Sequence, residues 1–183
     1  MNTSVLVRQL DAALIAPAAT SAERLLGYSV AVAGTAFAVI TGVVADWHPL
    51  SLVVIGLVAF DLFGGATVNA MDSAKHWWHR PGRTAGHHLA FVAVHVQPFL
   101  VAWAVPDFGW GSAVIVYLVT LGAAVIVVAT PLSLRRPVGF ALTTLALSVI
   151  LAVDSIHASV SWLAPVLLIK LLLAHIQPEQ RPR

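Results

Sequence analysis

Six apolar runs, each close to the roughly 20 residues a helix needs to cross a bilayer, fill a chain of only 183 residues. That pattern limits the chain more than any single motif does. Only 10% of its residues are charged, against about 25% in an ordinary soluble domain, so a water-facing surface cannot be assembled from this composition. The expected fold is an all-α integral membrane bundle of about six transmembrane helices. Hydropathy and helix breakers place the spans near 25–45, 50–71, 87–105, 112–130, 138–153 and 159–175. The chain then divides into an interfacial segment 1–24, a six-helix domain 25–175 and a polar tail 176–183. Leu6, Leu10 and Leu14 recur at helical spacing, which predicts an amphipathic surface helix over about 3–16. Arg8, Gln9 and Asp11 break the apolar stretch there too early for a signal peptide.

The basic residues orient the spans. Arg8 and Arg24 precede the first span, and Lys75, Arg80 and Arg83 lie between the second and third. Arg135 and Arg136 separate the fourth and fifth, and Arg181 and Arg183 follow the sixth. All nine fall on one side of a six-span bundle, while the opposite loops carry neither Lys nor Arg. The positive-inside rule makes the basic side cytoplasmic, with both termini inside and the protein in the cell membrane, plasma or bacterial inner. The net charge of +2 is thus explained by topology, and no nucleic-acid partner is expected. Membrane lipids are the expected surroundings, and small-x-x-x-small spacings such as Gly34 to Ala38 would suit helix packing within one chain or between copies in an oligomer.

Several chemistries are excluded. With no cysteine, the chain has no disulfide, thiolate metal site, iron–sulfur cluster or cysteine nucleophile. There is no phosphate-binding glycine loop, G-x-S-x-G elbow or C-x-x-C-H haem attachment.

Five of the eight histidines, His76, His79, His87, His88 and His95, lie within twenty residues. If the second span continues as helix to residue 79, then Asp61, Gly65, Asn69, Asp72, His76 and His79 share an arc of about 80° at 100° per residue. His88 and His95 share a face of the third span, and Gly64-Gly65 would let a partner helix approach. Two such stripes would form a seam of carboxylate and imidazole, a donor set suited to Zn or Fe. Asp72, His76, His88 and His95 are the expected ligands, with Asn69 and His79 supporting them. Two registers of the hairpin are open; the preferred one sets Asp61 level with His95 and Asn69 level with His88. Asp61, near the middle of its span, costs about 2.5–3.5 kcal/mol on insertion scales and should face a cavity or a partner. Lys170 in the last span is read first as snorkelling to the interface, and second as a partner for Asp61.

These residues suggest a membrane-embedded, metal-dependent enzyme, a hydrolase or oxidase, acting on a lipid or isoprenoid-like apolar substrate. Asp61, Asp72 and His79 would be its catalytic groups. The alternative is a small proton-coupled transporter or channel using Asp61 and His95, with Lys170 as counter-charge. Bis-histidine haem ligation and a non-catalytic membrane subunit are further readings.

Overall fold

The computed structural model describes residues 14–154 and 156–178. Among them the chain is helical without strands, and six of its helical stretches are long and apolar enough to cross a membrane. They are Ser21–Val44, Pro49–Ala70, Ala85–Ala104, Trp110–Ala129, Leu132–Val153 and Ala158–His175, close to the expected boundaries. At 1.5 Å per residue their 18 to 24 residues rise about 27–36 Å, which brackets a hydrocarbon core of about 30 Å.

Local chemistry sets the ends. Helix α1 (Ser21–Val44) opens on a capping box: Glu23 N–H donates to Thr20 Oγ1, and the Glu23 carboxylate accepts from Thr20 N–H at 2.7 Å. His48 caps helix α2 (Pro49–Ala70) through Nδ1, with Pro49 at its first position. Helix α2 then stops. Met71 is extended (φ −74°, ψ 148°), and a separate short helix α3 (Asp72–Trp78) follows. The third span is broken as well. Helix α4 (Ala85–Ala93) ends ahead of His95, and helix α5 (Gln97–Ala104) restarts with Pro98 in its first turn. Proline has no N–H to give the carbonyl four residues back, so the ladder is interrupted there. Helix α6 (Trp110–Ala129) is continuous, and helix α7 (Leu132–Val153) begins six residues before the expected start. Arg135 and Arg136 therefore lie within a helix, where a loop was expected.

The last span holds the centre of the bundle: 67% of its residues are buried, against 22–44% in the other five. It consists of a 3₁₀ turn (Ala158–Val160), helix α8 (Leu163–Leu168) and a π-helical segment (Ile169–His175). Its partners include α2 and α7. Helices α1 and α2 pack most extensively, because Gly64 faces Ala31 and Gly34 faces the Phe63 ring. Ala38 on the same stripe is fully buried, so the Gly34–Ala38 pattern serves packing within the chain. Ile15 and Ala16 are buried against Val68, Met71 and Ala74. Residues 3–13 of the expected amphipathic helix lie outside the described residues, as do Arg8, Arg181 and Arg183.

Candidate functional site

Asp61 stands on α2 and reaches Lys170 of the π segment. Lys170 Nζ donates to the Asp61 carboxylate at 2.7 Å and to the Asp61 backbone carbonyl at 3.1 Å. The two ends of this pair differ in burial. The Lys170 side chain is 2% exposed and the Asp61 side chain 48%. Lys170 therefore does not snorkel; it crosses the interior to the carboxylate. Gly65 makes room for it, since a Cβ at that position would meet Lys170 Cε at 2.5 Å and Nζ at 2.8 Å. The glycine pair thus admits α1 and a lysine, not the facing third span.

Two further polar groups join from the broken third span. Gln97 Nε2 donates to the same carboxylate oxygen at 2.8 Å. His95 is 6% exposed and its Nδ1–H donates to the Phe91 carbonyl at 2.6 Å. A carbonyl can only accept, so Nδ1 carries the proton and a neutral ring keeps its lone pair on Nε2. Asp61, Asn69, His95, Gln97 and Lys170 line one cavity of about 270 Å³, shared with Gly65, the Trp78 and Phe91 rings and apolar residues. The cavity opens on the flank of the bundle, where Asp61 is exposed and Val94 is 67% exposed. Asp61 and His95 thus line the same cavity, and Asn69, which the preferred register set level with His88, lines it too.

A second cluster occupies the end of the bundle that carries the basic connections. His88 and His175 face each other at 3.2 Å between Nδ1 and Nε2. His79 stacks on His88 with 4.4 Å between centroids, and its Nε2–H donates to the His175 carbonyl at 2.9 Å. Phe91 separates this cluster from the cavity. Its ring lies 3.8 Å from that of His175 and 4.6 Å from that of His95. Below the cluster, Lys75 is buried and its ammonium donates to the Ala174 and Gln177 carbonyls at the end of the last span. Burial lowers the Lys75 pKa to about 8. It also lowers that of His79, opposed by the His175 carbonyl and reinforced by the charges of Lys75 and Arg135.

The expected metal ligands occupy separate places. Asp72 and His76 are exposed on α3, where His76 Nδ1–H donates to the Asp72 carbonyl. His88 is in the imidazole cluster, and His95 is in the cavity. The break at Met71 is the cause: α3 does not extend the face of α2, so Asp72, His76 and His79 leave the arc shared by Asp61, Gly65 and Asn69. Among the described residues no three His, Asp, Glu or Cys side chains converge as a metal site. His87 has a local role, its Nδ1 accepting from Thr84 N–H at the start of α4.

Two site residues were not singled out from the sequence. Gln97 precedes a proline within a hydrophobic run, a signal that a helix restarts and leaves polar groups open to partners. His175 was read as the end of the last span. At the opposite end, Asp107 accepts from Trp47 Nε1 at 2.9 Å and Ser159 Oγ at 3.4 Å, with His157 Nδ1 at 3.5 Å. Three connections are pinned together there.

No protein-family model, curated protein or solved structure matches this chain. Its function must be argued from the site.

Proposed function

We propose that the protein is a small proton-coupled membrane carrier whose exchange site is the Asp61–Lys170 pair, with His95 beside it as a hydrogen-bond acceptor. The observation that carries this reading is the ion pair itself: a buried ammonium meets a half-exposed carboxylate near mid-span, beside a cavity. Ionisable residues inside membrane segments are costly, and those that face cavities mark ion paths and proton relays. A carboxylate that releases an ammonium to take a solute, and retrieves it when the solute leaves, is a minimal coupling device. The basic connections support an orientation with both termini cytoplasmic, which turns the imidazole cluster toward the cytoplasm. A metal-dependent lipid enzyme draws less support, because its four ligands are dispersed.

The test uses proteoliposomes with an imposed pH gradient and an entrapped pH-sensitive dye. Small cations and amines are added one class at a time. At least one class should discharge the gradient through the wild-type protein, and Asp61→Asn should abolish that discharge. If no solute moves protons through the wild-type protein, the carrier reading is wrong.

A further inference from the structure

The cavity presents one charge to a ligand and hides the other: the Asp61 side chain is 48% exposed and that of Lys170 2%. Both hydrogen bonds that the described residues give the Asp61 carboxylate fall on Oδ2, and Oδ1 accepts none of them. Gln97 spends one of its two amide N–H groups on Asp61, and its buried Oε1 has no partner. His95 commits Nδ1–H to the Phe91 carbonyl, which leaves Nε2 as an acceptor. Spare donors are present as well: Nδ2 of the buried Asn69 has no partner, and the Lys170 ammonium and the Gln97 amide each keep an N–H beyond those spent on Asp61. The charge that an incoming ligand meets is therefore the carboxylate, since the ammonium lies buried behind it, and a cationic donor is favoured over an anionic acceptor.

The walls add a second constraint. Leu14, Ile15, Val68 and Val94 line the cavity together with the rings of Trp78 and Phe91. Aromatic faces attract cations, and a mouth on the apolar flank of the bundle admits a hydrocarbon tail from the bilayer.

We infer that the ligand of this site is an amphiphilic primary ammonium ion, whose N–H donors meet Asp61 Oδ1 and His95 Nε2 while its tail lies along the apolar mouth. The inference rests on the carrier reading and names its substrate class. Asp61, His95 and Lys170 are the titratable groups on the cavity wall. An incoming R–NH₃⁺ would bring a second positive charge against a single carboxylate. Lys170 therefore yields one proton to water and stays as the neutral amine. The balance is Asp61⁻·Lys170–NH₃⁺ plus R–NH₃⁺ giving Asp61⁻·R–NH₃⁺ with Lys170–NH₂ and one H⁺ released. Ammonium binding and proton release are then the same event.

The test is titration calorimetry on the detergent-purified full chain with hexylammonium, hexanol and hexanoate. Buffers of different ionisation heat count the protons released. Hexylammonium should bind with about one proton released, and hexanoate should not bind. Lys170→Met removes the competing ammonium, so it should tighten hexylammonium at least tenfold and abolish proton release; a misfolded variant could not do that. Asp61→Asn should weaken binding at least tenfold. Equal or tighter binding of hexanoate overturns the inference, as does hexylammonium uptake unchanged in Asp61→Asn, the signature of partition into the micelle. Binding as described without flux in proteoliposomes would retain the ligand class and remove the carrier reading. Proton-coupled flux of other solutes with no hexylammonium binding would do the reverse.

Discussion

Removing either member of the Asp61–Lys170 pair should have unequal effects, because burial is unequal. In Asp61→Asn the ammonium remains at 2% exposure with its countercharge gone. Breaking a buried pair from one side costs about 3–5 kcal/mol. There is a ceiling: the lysine can discharge instead, which from an ordinary pKa of about 10.4 costs about 4.6 kcal/mol at pH 7, at 1.36 kcal/mol per unit. The expected loss is therefore about 3–4.6 kcal/mol. In Lys170→Met the remaining carboxylate is 48% exposed in a cavity that has room for water, and the new side chain fills the interior with apolar volume. The expected loss is about 0–1.5 kcal/mol, the scale for volume-conserving core changes. At about 2–4 °C per kcal/mol for a chain this size, Asp61→Asn should lower Tm by about 6–18 °C and Lys170→Met by no more than about 6 °C. The double variant should recover most of the Asp61→Asn loss, since no buried charge is left alone. Thermal melts in detergent followed by tryptophan fluorescence decide it. Equal losses for the two single variants, or a larger loss for Lys170→Met, would refute the argument.

Gly65→Ala should displace Lys170 and cost about 1–3 kcal/mol, the range for overpacking; recovery in Gly65→Ala/Lys170→Ala, read by the same melts, identifies the lysine as the clashing group. Lys75 holds its proton in the folded chain only to about pH 8, but to about 10.5 when unfolded. Between those values the unfolded chain binds more protons, so raising the pH through this window stabilises the fold. Melts at pH 7.5, 9 and 10 should show that rise in the wild type and a flatter profile in Lys75→Met. The Phe91 ring stands between the inner histidines and the cavity, and with no cysteine in the chain a single Asn69→Cys reports access to the cavity. Adding Phe91→Ala should speed its labelling by an impermeant thiosulfonate at least tenfold from the side of the basic connections, and equal rates with and without the change would show that the ring is no barrier.

Most of the architecture was legible in the sequence because bilayer thickness sets helix length, and the six apolar runs matched their helices within a few residues except at the start of α7. Asp61 was legible for the same reason, as a carboxylate that lipid would not tolerate. The expected continuous polar face from Asp61 to His79 failed on one backbone torsion: nothing in Asn69-Ala70-Met71-Asp72 marks the extended Met71 that turns α3 away from α2. Lys170 was misjudged because sequence position alone does not say which neighbour lies across the interior, and the route to Asp61 depends on the missing Cβ of Gly65. His175 could not be placed by helical periodicity, because its segment does not have α-helical periodicity.

That departure mechanically links the two clusters. Five residues separate Lys170 from His175, about 140° around an α-helix, which would send them to different neighbours. With i→i+5 bonding through Ile169–His175 they stack on one side instead, one toward the carboxylate and the other toward His88. The segment holds one residue more than an α-helix making the same number of turns. If it relaxed to α-helical bonding, Lys170 and His175 would turn out of line with each other, so both contacts could not be kept. The last span works as a geared shaft: whatever draws Lys170 from Asp61 also bears on the contact between His175 and His88.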